Sequence, residues 1–234
     1  MENRYFWNRT VVDPKIKIFT FAIFFIAVFG VWLFSFQELR GFPIISTIRT
    51  PMDDNLKNQK IAMIIAFRDF QDDEYFISKE ILEKAEAEIT TVSTEQGTAI
   101  GVQGGEVEVS LVLGSLRVSD FDAIVFIGGP GALRYLDNES SYDIVKKTVS
   151  ENKVLAAICI SPVVLANAGV LSGKKATVWS SPLDKEAIRI LEKKGAVYQE
   201  APAVIDGKII TADGPASAAQ FADAIIDVLT RVIR

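Results

Sequence analysis

The stretch LAAICISPVVLANAGV, residues 155–170, holds the one cysteine of the chain, Cys159, between an apolar run and a segment that opens a helix. A side chain at a sharp strand-to-helix turn stands exposed at the sheet edge, as in a nucleophile elbow. A helix N-terminus behind it favours the thiolate. The same residue also fits a small buried hydrophobe, the usual state of a lone cysteine, and spacing alone leaves both open. Histidine is absent from all 234 residues. That excludes Ser-His-Asp and Cys-His mechanisms, His-ligated zinc and HExxH-type sites. One cysteine allows no intrachain disulfide and no Cys-cluster metal site. Neither a metal nor a cofactor is expected, and acid–base work falls to carboxylates, Lys, Tyr, the thiol or water.

The elements that must position such a thiol alternate along the chain from Lys60. KIAMIIAF, DAIVFIGGPGA and KVLAAIC are continuous apolar runs of the kind buried on both faces of a parallel sheet. EYFISKEILEKAEAE and SSYDIVKKTVSEN have helical spacing, and SPVVLANAG opens on Ser161 and Pro162 and closes on Gly169. SPLDKEAIRILEKKG and PASAAQFADAIIDVLTRVI read as two further helices, with EITTVS and KKATVW as strands. Gly104-Gly105 and Asp206-Gly207 mark hairpin turns. This order predicts an α/β sandwich with a mostly parallel sheet and short connections. Ligands of such sheets bind where strands end and helices begin. FRDFQDDE, IGGPGA and CISP occupy such ends; by default, the acidic cluster Asp69, Asp72, Asp73 and Glu74 reads as a solvated loop and helix start.

Composition bounds the rest. Hydrophobic residues make up 49% and charged residues 24%, enough for a proper core. The mean hydropathy of +0.25 has a local cause in the uncharged run Ile18–Phe36. At 1.5 Å per residue that run spans roughly 28 Å, close to a bilayer's hydrocarbon thickness. Its length and lack of a small-residue end read as a retained single-pass membrane helix over 18–36 rather than a cleaved signal peptide. Residues 1–17 form a short leading segment, 37–58 a tether and 59–234 the globular domain. Arg4, Arg9, Lys15 and Lys17 before the span outnumber the nearest positive charges after it, Arg40 and Arg49. That places the N-terminus in the cytoplasm and the domain outside. Beyond residue 40 the chain is acidic without a basic stripe, which argues against nucleic acid as a partner.

FQDDE, DAIVFIGGPGA, AAICISPVVLANAGVLSGKKAT and VIDGKIITADGPASAAQFADAI together resemble the ThiJ/PfpI family, in the same order and over residues 59–234. The resemblance implies a flavodoxin-like three-layer α/β sandwich, shared with class I glutamine amidotransferases. It implies that Cys159 is the elbow cysteine, that Glu74 is the carboxyl contacting it, and that the amides of Gly128, Gly129 and Ile160 line an oxyanion pocket. Family members that act as proteases carry His after the cysteine, where this chain has Ile160. Others have His after the strand matching KKATV, where Trp179, Ser180 and Ser181 stand here. Cys–His hydrolysis therefore loses its support. What the resemblance leaves is thiol chemistry of glyoxalase or deglycase type on a small reactive carbonyl or its protein adduct. The alternative is a non-catalytic redox sensor or an interaction protein of the same fold. A homodimer is also implied. For a thiol at an elbow, hydrogen-bonded by a protonated Glu74, the expected pKa lies below the ordinary value of about 8.5.

Overall fold

Apolar runs with no polar alternation can be satisfied only inside a sheet covered on both sides. The computed structural model, which describes residues 55–233, places them there. The described elements begin with β1 (Lys60–Ile64), β2 (Arg68–Phe70), α1 (Asp72–Lys84) and β3 (Glu88–Ser93). It continues through β4 (Gly97–Gly101), β5 (Glu106–Val109), β6 (Leu111–Val112) and β7 (Ala123–Phe126). Next come α2 (Pro130–Tyr135), α3 (Glu139–Ser150), β8 (Val154–Ile158), α4 (Pro162–Asn167) and β9 (Lys175–Ala176). The last elements are α5 (Glu186–Lys193), β10 (Val197–Tyr198), β11 (Ala203–Asp206), β12 (Ile209–Ala212) and α6 (Ala218–Ile233).

The central 7-stranded sheet runs β11-β12-β8-β7-β1-β3-β6. Its pairs are parallel except β11–β12, the hairpin turning at Gly207. Every residue of β7 and β8 is buried. Successive side chains point to opposite faces. Val125, Ala156 and Ile158 therefore pack with Tyr75 and Leu82 of α1 and Phe221 and Ile225 of α6. Ile124, Phe126, Leu155 and Ala157 pack with residues of α3, α4 and α5, among them Val145, Leu165 and Leu191. The result is a three-layer, flavodoxin-like sandwich. Two small sheets flank it, β2-β4-β5 and β9-β10.

The chain leaves β1 for β3 on one side of the sheet and later fills β7 and β8 on the other side. That reversal puts a crevice outside the carboxyl ends of β1, β7 and β8. Packing begins ahead of the first strand: Leu56 is fully buried and its N–H donates to Ala85 O at 2.6 Å. The segment 1–17, the apolar span 18–36 and the tether up to residue 54 lie outside the described residues. Among the described residues no helix is long and apolar enough to cross a membrane.

Candidate active site

Cys159 follows β8 directly and takes a φ of 62°, a left-handed value in a residue with a Cβ. Such a conformation costs of order 1–3 kcal/mol and persists only where the surroundings hold it. Here they do so through the backbone. Cys159 N–H donates to Ala212 O at 2.9 Å, and Cys159 O accepts from Trp179 N–H at 2.8 Å. The next side chain but one, Ser161, is buried and donates to Ile127 O at 2.8 Å. Behind the turn, Asn167 at the end of α4 donates to both oxygens of Asp137, at 3.0 and 3.2 Å, which ties α4 to the loop after α2.

Glu74 reaches the same place from the first turn of α1. It is fully buried, and its Oε2 accepts from Gly128 N–H at 2.9 Å. The start of α1 is fixed by Asp72, also buried, whose oxygens accept from the N–H groups of Gln103 and Gly105 at 2.8 and 2.7 Å. Gly101 and Gly105 leave room for it, since a Cβ on either would meet Asp72 Oδ1 within 2.5 Å. Gln71 N–H adds a bond to Gly128 O at 3.0 Å. Half of the acidic cluster is thus built into the fold rather than solvated. Asp69 remains outside and pairs with exposed Arg134 at 3.3 Å.

Gly128 admits no side chain. A Cβ there would stand 2.5 Å from Cys159 Cβ, 2.7 Å from Glu74 Oε2 and 2.9 Å from Ile158 O. This close approach lets the carboxyl and the thiol share one buried space. Gly129 has φ 106° and faces the backbone of Asp69 and Gln71 at similar range.

The electrostatics of the pair follow from burial. Desolvation raises the Glu74 carboxyl from its ordinary 4.5 to about 7, opposed by hydrogen bonds from the Cys159 thiol and the Gly128 amide. Its second oxygen, Oε1, is buried without a hydrogen-bond partner, and the Cys159 thiol is the titratable side chain hydrogen-bonded to the carboxyl. Burial also pushes the Cys159 thiol up, and the charge of Glu74 adds to the rise. The amides of Gly129 and Ile160 bond toward the sulfur and pull the other way, but weakly. The depressed thiol expected from the turn is therefore not what the structure builds. The helix-start amides act in the expected direction, while a sulfur only 9% exposed beside a carboxylate is governed by desolvation.

Of the amides expected around an oxyanion, Gly129 and Ile160 face the sulfur, whereas the Gly128 N–H is committed to the carboxyl. Cys159 opens into a cavity of about 380 Å³. Gln71, Leu133, Ile160, Trp179 and Pro215 contribute to its walls. In the sequence, Trp179 is marked only by standing where some members of the resembled family have histidine. Its place over the cysteine depends on the hydrogen bond from its own N–H to Cys159 O, for which the sequence carries no signal.

The DJ-1/PfpI family pattern matches residues 59–228. An uncharacterised protein of Methanocaldococcus jannaschii is 40% identical over 76% of this chain and 86% of its own length. A protein of Pyrococcus horikoshii named a deglycase is 31% identical over 66% of this chain and 90% of its own. Among solved structures, a ThiJ/PfpI domain protein from Brachyspira murdochii superposes with a TM-score of 0.70 at 32% identity, over 75% of this chain and 98% of that one.

Proposed function

Since the chain belongs to the DJ-1/PfpI family, we propose that it converts small 2-oxoaldehydes, free or as protein adducts, through Cys159 with Glu74 as proton carrier. The observation that carries this reading is the buried carboxyl, raised to about 7 and hydrogen-bonded to a thiol that does not ionise readily by itself. A base with a pKa near the working pH is suited to remove a proton during bond formation. The relative named a deglycase gives the reactive-carbonyl class its support.

With methylglyoxal the steps balance as follows. Sγ adds to the aldehyde carbon while its proton passes to Glu74, and the oxygen collects negative charge near the amides of Gly129 and Ile160. Glu74 returns the proton to that oxygen, giving a hemithioacetal. The carboxylate then takes the C–H proton of the same carbon and delivers it to the neighbouring carbonyl carbon, while the hydroxyl proton passes to that carbon's oxygen, leaving the thioester of lactate. Water hydrolyses the thioester to lactate and restores the thiol. Methylglyoxal and water are consumed, and no external oxidant is needed. Membrane attachment through residues 18–36 belongs to the same proposal and rests on the uncharged apolar run alone. The redox-sensor alternative draws less support, because oxidation follows thiolate character and exposure, and both are low here.

The test is lactate formation from methylglyoxal by the purified full-length protein. A rate well above the protein-free reaction is expected. Binding or slow adduct formation without lactate release would overturn the enzymatic reading.

A further inference from the structure

Building on this thiol chemistry, we infer that the site selects uncharged 2-oxoaldehydes with a bulky apolar substituent, and that Trp179 is the residue that sets this preference. Among the described residues no Lys, Arg, Asp or Glu lines the cavity over Cys159. Its one polar side chain besides the thiol is Gln71; Pro130, Leu133, Ile160, Trp179 and Pro215 supply carbon surface. The cation next to Leu133 in sequence, Arg134, points its charge into the pair with Asp69 instead. A carboxylate or phosphate on the substrate would lose its water there without gaining a partner, a cost of several kcal/mol by general desolvation arguments.

Room and shape point the same way. About 380 Å³ is far more than a methyl or a hydrogen on the dicarbonyl would fill, and it falls within the roughly 300–1,000 Å³ typical of small-ligand sites. Trp179 is anchored to the reacting residue itself through its backbone N–H on Cys159 O; the residue is 36% exposed and lines the cavity. Gly214, at φ 150°, packs close by: a Cβ built there would lie 3.5 Å from Trp179 Cδ1. The indole is thus an apolar wall of the cavity into which Cys159 opens. Aromatic surface of this kind rewards a ring or a branched alkyl group. A relative with histidine after this strand would present a polar, titratable group at that position.

The experiment compares initial kcat/KM for phenylglyoxal, methylglyoxal and 4-carboxyphenylglyoxal in the full-length protein and in Trp179→Ala and Trp179→Leu. The intrinsic reactivity of each aldehyde cancels when the phenylglyoxal-to-methylglyoxal ratio is compared between proteins. The ratio is expected to fall about tenfold or more in Trp179→Ala, in the range that apolar pocket contacts discriminate. Trp179→Leu, which keeps carbon surface, should fall less, and in the unsubstituted protein 4-carboxyphenylglyoxal should be used at least about tenfold less well than phenylglyoxal. An unchanged ratio in both variants, or 4-carboxyphenylglyoxal used as well as phenylglyoxal, overturns the inference and leaves the thiol chemistry standing. Absence of turnover with all substrates in the unsubstituted protein overturns the thiol chemistry, and the selectivity with it.

Discussion

With Cys159 replaced by alanine, lactate formation from methylglyoxal is expected to fall to the protein-free background. The cavity offers no second nucleophile: the chain has no other cysteine and no histidine, and its remaining lining side chains are amide, aliphatic or indole. Loss of the fold does not explain such a result. The substitution removes one sulfur from a site already 9% exposed and leaves the backbone strain at φ 62° unchanged. Thermal unfolding should move little, which makes activity the discriminating readout. Residual turnover within tenfold of the unsubstituted protein would remove the thiol from the mechanism.

Glu74→Gln is the second large effect. Loss of a positioned general base typically costs about 10²–10⁴-fold, and the glutamine can still accept from the Gly128 N–H, so the shape of the site is kept. The unsubstituted protein should show kcat/KM rising with pH through about 7, where the carboxyl becomes the base, and Glu74→Gln should lose that limb. Stability should move in the opposite sense. Burial raises this carboxyl from 4.5 to about 7, so the folded state holds a proton over that interval that the unfolded chain releases. The contribution of Glu74 to stability is therefore fullest below about 4.5 and declines as pH rises through about 7. Glutamine escapes the penalty. At about pH 8 the variant should be more stable by up to roughly 3 kcal/mol, and the gain should vanish in acid. A catalytic carboxyl kept at a cost in stability would show both signs together. A variant with unaltered turnover, or one less stable at every pH, would argue that Glu74 is a packing residue.

Much of this architecture could be read from residue order. The apolar runs at β1, β7 and β8 and the Gly207 hairpin are where pattern places them, because a strand buried on both faces leaves no other mark. Smaller pieces escaped. β2 reads as an acidic loop, since three residues in a flanking sheet carry too little pattern, and its φ of 62° at Asp69 has no sequence signature. α2 hides behind the glycines of IGGPGA, and α5 begins at Glu186 rather than at Ser181-Pro182. Ser181 and Asp184 instead bond to one another across a turn. At the site, the identities of Cys159, Glu74, Gly128, Gly129 and Ile160 came from the family resemblance, and the structure brings them together. What the sequence misjudged was the sign of the thiol shift. The turn and its amides are local and legible, whereas the burial that outweighs them is assembled from α1 and the ends of β1, β7 and β12. The commitment of the Gly128 amide to Glu74 is likewise a tertiary fact.

The central claim is that Glu74 and Cys159 titrate and act as a pair, and the rate of iodoacetamide alkylation of native Cys159 as a function of pH tests it most directly. One proton should leave the pair near 7, and the tautomer with the proton on Glu74 exposes thiolate sulfur to the reagent. The account predicts a labelling step through about 7 in the folded protein, absent in Glu74→Gln, where the buried thiol titrates by itself at higher pH. Labelling that begins only in denaturant, or an identical pH profile with and without the carboxyl, would contradict it and leave Cys159 a buried packing residue.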